Sequence, residues 1–284
     1  MQVQVKKRIK MLKLIRYDFV CGFKYNFKKY IVAVVFVILC CVLFMAQSAQ
    51  CEEMFGGVSR TLMDYFVFFF KGSKEADFEM GSIGIPAVFL GIQIIVTSMV
   101  GYYPFDDIYG YGKQVFIRVE KKSKWWLSKC AWTFMTVLSF YVILYAVIVL
   151  FCLVTGQDMS FIYHDEIISY MDMMYIGSVT GENLILYMFV TPVIYSLMIS
   201  MVQVTLSMII GPILSFLAVM VYNILGILVI SKGLMANYTM IFRDKMVSGA
   251  DIEPLEGIIF MLIPMVICVF VGMAVIKRKE IFEK

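Results

Sequence analysis

The stretch GYGKQVFIRVEKKSKWWLSK, Gly110 to Lys129, holds six of the chain's Lys and Arg residues and two of its three Trp. Its GYGK start invites comparison with a phosphate-cradling loop. Such a loop needs G-x-x-x-x-G-K-[ST] between a strand and a helix, so that backbone N–H groups wrap the phosphates and the hydroxyl holds Mg²⁺. Here the first Gly position is Asp107 and the Ser/Thr position is Gln114. Nucleotide binding by this chain is therefore not expected. With one histidine, His164, neither a metal centre nor a nucleophile–base pair is easily built. The seven cysteines show no CxxC and no pairing pattern. Cys40, Cys41, Cys130, Cys152 and Cys268 lie in or at the ends of apolar runs, where they read as small packing residues. No enzyme activity, metal or cofactor is expected of the chain itself.

The surrounding sequence is oil-like. Of 284 residues, 61% are hydrophobic and 16% charged, with mean hydropathy +0.85. Soluble domains are less apolar and more charged, and a soluble chain of this length has too little interior to hide the excess. The bilayer is the natural solvent for it, so a multi-pass all-α membrane protein is expected.

Charge-free runs locate the spans: Tyr30–Cys51, Met80–Phe105, Cys130–Gln157, Gly257–Ile276 and the long run Asn183–Ser231. The last is more than twice what one crossing needs, so it must fold back, and Gly211-Pro212 supplies the break. Six transmembrane helices follow. The run YFVFFF, Tyr65 to Phe70, is too short to cross and reads as an interfacial or lid segment. The basic region before the first run is long, and the run itself exceeds a signal h-region, so the first span is expected to stay in the mature protein.

Nineteen of the 25 basic residues fall in segments 1–29, 106–129 and 277–284, with only six of the acids. The positive-inside rule then puts both termini in the cytoplasm and orients the whole chain. Residues 1–29 form a basic amphipathic helix: Ile9, Leu12, Ile15, Phe19, Phe23 and Phe27 share one face, and Lys6, Lys10, Lys13, Lys24 and Lys28 another. Such a helix suits the inner interface against anionic lipid, and serves at the least as a positive-inside anchor. Residues 30–284 make up the transmembrane domain. Its outer segment 232–256 has apolar residues at near-helical spacing and is suited to dip back into the outer interface. Trp125 and Trp126, with Lys129, are read as interface anchors at the inner end of the third span.

No span carries Lys, Arg, Asp, Glu or His. Ion- and proton-coupled carriers bury such groups for their ion site or relay. The polar residues at span depth are Gln93, Gln203 and Asn223 with scattered Ser and Thr, which can cross-link helices or line a path. Apolar spans without a power source point to a partner that supplies the power.

An amphipathic N-terminus, six spans and one long inner loop between spans two and three resemble the membrane subunits of ABC-2 type (type V) ABC exporters. The loop reads DDIYGYGKQ…R…KKSKWWLSK, and Asp106 or Asp107, Gly112, Arg118, Ser123 and Lys129 fit the family's acidic, Gly, Arg, small and Lys places. SKWWLSK is similar to Gram-positive members. The chain departs at KQVFI after Gly112, where many members have a small polar pair and then Leu.

The resemblance implies that 106–129 is a coupling loop docking on a separate cytoplasmic ABC ATPase, which would bind the ATP and Mg²⁺. Phe105, Ile108, Tyr109, Tyr111, Val115 and Phe116 would fill a pocket on that partner. Asp106, Asp107, Lys113 and Arg118 would set register at the rim, and Gly112 would belong to the same ATPase-coupling set. It also implies pairing with a second permease copy or a paralogue in a bacterial plasma membrane, no nucleic-acid partner, and a cargo of amphipathic peptide, drug or lipid-like character. The residues alone leave two other readings open: a stand-alone secondary carrier or channel, and a membrane immunity protein that sequesters a toxic peptide.

Overall fold

The computed structural model describes residues 11–55, 59–74, 84–110, 112–119 and 121–278, the side chains of 52–55 excepted. The chain folds as an all-α membrane-embedded protein. Among the described residues five helices are long and apolar enough to cross a bilayer. They are α1 (Met11–Phe55), the pair α3 (Ala87–Val100) and α4 (Tyr103–Tyr109), α6 (Lys122–Thr155), a helix built from α8 (Gly181–Ile185), a π-turn (Leu186–Val190) and α9 (Thr191–Ile210), and α12 (Pro254–Arg278). The sixth apolar helix, α10 (Pro212–Leu228), has 17 residues, roughly 25 Å of helix against a hydrocarbon core of about 30 Å. The charge-free run extends to Ser231, but Val229 is already extended, because the chain turns into a buried irregular segment there.

Residues 11–29 and the first span are not separate pieces. α1 runs through both as one 45-residue helix. Its packing face is a stripe in which Asp18, Gly22, Asn26 and Ala33 lie among the larger Leu14, Tyr30 and Val37, at near-helical spacing. The apolar stripe Leu12, Phe19, Phe23 and Phe27 points away from the bundle. This is the arrangement expected in lipid, where small residues let helices approach and apolar ones face the chains. Lys6, Lys10 and Ile9 lie outside the described residues.

α2 (Leu62–Phe70) corrects the reading of YFVFFF as an interfacial or lid segment. Every residue of α2 is buried. A helix that is apolar all round belongs in a core, and Phe44, Tyr145 and Phe189 close on its aromatic rings. A capping box starts it, with Thr61 accepting from the Asp64 N–H and Asp64 accepting from the Thr61 N–H.

The π-turn has an identifiable cause. Pro192 has no N–H for the carbonyl four residues back, that of Met188, and the Tyr145 hydroxyl from α6 donates to it at 2.8 Å. Tyr141, one turn earlier on α6, donates to the Pro192 carbonyl at 2.9 Å. At the same end of the bundle, Met235–Thr239 and Ile241–Arg243 form 3₁₀ turns, followed by α11 (Lys245–Ser248). Residues Ala236 to Asp244 are all buried, against α9, α10 and α12.

Candidate functional site

The basic end of the bundle gathers the chemistry that the sequence spreads over more than a hundred residues. Lys129, in the second turn of α6, places its ammonium 2.5 Å from Asp18 Oδ1 of α1 and 2.6 Å from Asp107 Oδ2 of α4. All three side chains are essentially buried. The Ser128 hydroxyl donates to Asp18 Oδ2 at 2.5 Å and the Tyr103 hydroxyl to Asp18 Oδ1 at 3.1 Å. The rings of Tyr103 and Trp125 lie 4.5 and 4.9 Å from the ammonium. Lys129 and Asp18 therefore each have several partners and Asp107 is paired with the ammonium, the condition for carrying charge into a low-dielectric interior.

α5 (Gly112–Arg118) folds back on α4, and together they form an elbow clamped to α1 and α6. Gly112 is required at the bend: a Cβ there would stand 2.1 Å from Asp107 Oδ1. Ile108 and Phe116 turn inward, and the Phe116 ring meets Trp125 edge-on at 5.4 Å. A second tie lies further out. Tyr25 of α1 donates to Asp106 Oδ2 at 2.7 Å, and Lys29 donates to the Ser98 carbonyl at 2.6 Å while lying over the Tyr25 ring.

The loop residues expected to meet a partner are thereby sorted. Tyr109, Ile117, Arg118 and Asp106 reach the surface. Asp107, Gly112, Ile108 and Phe116 are buried and hold the elbow in place, so their contribution to any docking is to shape it. Phe105, Val115 and Lys113 are half-buried, and Tyr111 lies outside the described residues.

Trp125 and Trp126, expected as interface anchors, have their side chains packed inside the protein. Both are fully buried, as is Trp132 to within 2%. Glycines make the room. A Cβ on Gly272 would stand 2.0 Å from Trp126 Cζ2, and one on Gly22 would stand 1.9 Å from Trp132 Nε1. Trp126 is also fixed by donating to the Val269 carbonyl at 3.0 Å.

The profile of a family described as protein of unknown function (DUF2705) matches residues 82–282, more than half of the chain. The chain belongs to this family. No curated protein matches it. The matched region contains α4, α5, α6, α9 and α12, and so Asp107 and Lys129 of the ionic cluster; Asp18 precedes it.

In this family member two of the polar residues at span depth, Gln93 and Asn223, hydrogen-bond to side chains of a neighbouring helix. Gln93 donates to Ser196 Oγ at 3.1 Å, and Ser196 shares a 2.8 Å contact with the Tyr141 hydroxyl. Tyr195 donates to Asn223 Oδ1 at 2.8 Å. Gln203 is buried beside Gly101, where a Cβ would stand 2.2 Å from its Nε2. A cavity of about 10 Å³ beside Gln93, with Phe89, Tyr141 and Pro192 in its wall, has room for one water. Gln93 and Asn223 are thus helix cross-links within one copy, whereas neither side-chain amide atom of the buried Gln203 has a hydrogen-bond partner among the described residues.

Two features escape the sequence reading. Asp18 is the only acid in the first 29 residues, and it shares the i, i+4 stripe of Leu14, Gly22 and Asn26; that coincidence is the signal that marks it. Arg243, at the acidic end, is fully buried and donates to the Gly226 and Ile227 carbonyls at the end of α10, to Asn237 and to the Ser73 carbonyl. It ties α10, the 3₁₀ segment and the stretch after α2 together.

Proposed function

We propose that the chain is the membrane-spanning permease subunit of an ATP-driven ABC exporter in a bacterial plasma membrane. The basic end faces the cytoplasm with both termini, and α10 makes the sixth crossing with help from the chain beyond Leu228. A separate cytoplasmic ATPase binds ATP and Mg²⁺, and a second copy or a paralogue completes the translocation path. The cargo is an amphipathic peptide, a drug or a lipid-like molecule, since the spans present apolar and neutral polar surface.

One observation carries this reading: a short two-helix elbow is bolted by buried ions to two long helices. Asp107 and Asp18 both bind Lys129, so α4, α1 and α6 move as one body at this end. A push on Tyr109, Ile117 or Arg118 is then delivered to α1 and α6 rather than lost in a soft loop. That is what a membrane subunit driven by another protein's ATP cycle requires, because bistable packed interfaces transmit displacement where flexible loops do not.

The test is purification of tagged chain from its own cells in mild detergent, with identification of co-eluting chains and an ATPase assay. A stoichiometric partner carrying a P-loop, with turnover in lipid nanodiscs, is the expected result. A single chain without partner or turnover in both media would overturn the proposal.

A further inference from the structure

We propose an anionic-phospholipid site on the face shared by α6, α9 and α12, independent of the transport reading. A groove of about 260 Å³ lies between the three helices. Phe134 of α6, Leu197 and Met201 of α9, and Leu262, Val266 and Val269 of α12 line it. The α12 residues follow an i, i+4, i+7 pattern, so they form one stripe along the groove. The lining is apolar, which fits a hydrocarbon chain.

The ends of the same helices choose the headgroup. Lys121, Lys122 and Lys124 open α6, and Lys277 and Arg278 close α12. These ends are basic on balance: 121–130 and 262–278 carry no acid, and Glu120 and Glu280 flank them. The two helix ends meet, with Lys122 Nζ donating to the Lys277 carbonyl at 3.4 Å. Basic clusters between transmembrane helices at one membrane face are the chemistry that recognises anionic headgroups.

Depth links the two halves. Val269 lies eight residues from Lys277, roughly 12 Å along the helix, and the stripe continues roughly 10 Å more to Leu262. One leaflet with its headgroups is about 20 Å thick. A lipid with its phosphate at Lys122, Lys277 and Arg278 therefore lays the lower half of one acyl chain in the groove.

A second copy of the chain fits the face less well. In a two-fold dimer with both copies in the same membrane orientation, this face would meet itself and bring the two cationic clusters together. The occupant assigned is the lipid.

Trp126 borders the groove through its bond to Val269 and reports on it. The full chain is reconstituted in phosphatidylcholine nanodiscs, and tryptophan quenching is titrated with bromo-acyl phosphatidylglycerol and, separately, bromo-acyl phosphatidylcholine. The phosphatidylglycerol is expected to bind at least about fivefold more tightly at low salt, roughly the effect of one basic residue at a membrane surface. Lys277→Gln with Arg278→Gln should bring the ratio toward one while leaving quenching by phosphatidylcholine in place. Val266→Phe should weaken quenching by both lipids. Millimolar inorganic phosphate should not compete. Equal quenching by the two lipids in the wild type would overturn the proposal. So would a preference that survives neutralisation of Lys122, Lys277 and Arg278 together, or efficient cross-linking of Val266→Cys between copies with no quenching.

Discussion

Lys129 of α6 and Asp18 of α1 stand 2.5 Å apart, both fully buried, although 111 residues separate them in the chain. Asp107 shares the same ammonium. Removing the cation strands two carboxylates in a low-dielectric site, whereas removing all three charges strands none. Lys129→Met should cost about 3–5 kcal/mol. The triple variant Asp18→Asn, Asp107→Asn, Lys129→Met should recover most of that loss. Denaturation in detergent compares them; a single variant as stable as the wild type would show that the cluster is not the clamp described.

Gly272 and Trp126 make a second close relationship. A Cβ at Gly272 meets the indole at 2.0 Å, and the indole cannot swing away without giving up its bond to Val269. Gly272→Ala should therefore destabilise by about 1–3 kcal/mol, the ordinary cost of overpacking. Trp126→Phe should remove most of the added cost, so the double variant should be clearly non-additive. Additive losses in thermal melts would count against this contact.

The long spans are legible in the sequence because apolar runs and proline breaks report directly on bilayer thickness. The ionic cluster around Lys129 is not. Asp107 and Lys129 fall just outside charge-free runs and read as loop charges, and Asp18 sits in a segment whose apolar stripe attracts the eye. That stripe is real, but Leu12, Phe19, Phe23 and Phe27 face outward, and the polar stripe packs. In lipid the familiar inside-out pattern gives no packing direction, so only the coincidence of Gly22, Asn26 and Asp18 on one face carries the signal. Trp125 and Trp126 mislead for a related reason. Interfacial position and burial are both compatible with tryptophan, and what decides between them, a glycine on another helix, is a tertiary fact.

Arg243 holds the end of α10. Its guanidinium fork reaches the carbonyls of Gly226 and Ile227 and the Asn237 side chain at once. An ammonium has no such fork. Arg243→Lys should thus lose stability nearly as Arg243→Met does, by at least about 2 kcal/mol, the cost of leaving buried carbonyls unpaired. Full retention of the melting temperature in Arg243→Lys would mean that charge alone is what this position needs.

Lys71, at the acidic end, gives a pH dependence with a definite sign. Burial lowers its pKa below the ordinary 10.5, and the neighbouring Asp172 offsets this only in part. The folded state thus disfavours the charged form relative to the unfolded chain. The penalty is present below the folded value and disappears as the pH rises from there to 10.5. Subtracting the unfolding free energy of Lys71→Met from that of the wild type isolates the effect. The difference should move in favour of the wild type on the approach to 10.5 and then level off. A difference that falls over this window would place the pair with Asp172 above burial.

Tyr109 and Arg118 separate docking from folding. Tyr109 is half exposed at the end of α4, and Arg118 is exposed at the end of α5. Neither belongs to the Lys129 cluster. Tyr109→Ala and Arg118→Glu should each change the unfolding free energy by no more than about 0.5 kcal/mol, as surface changes do. If the elbow receives an ATPase, an interface anchor and a reversed rim charge should each weaken co-purification by roughly tenfold or more. Lys129→Met should weaken it too, but with a fall in stability that these two lack. Equal partner recovery from wild type, Tyr109→Ala and Arg118→Glu would remove the elbow from the interface, whatever partner the chain proves to have.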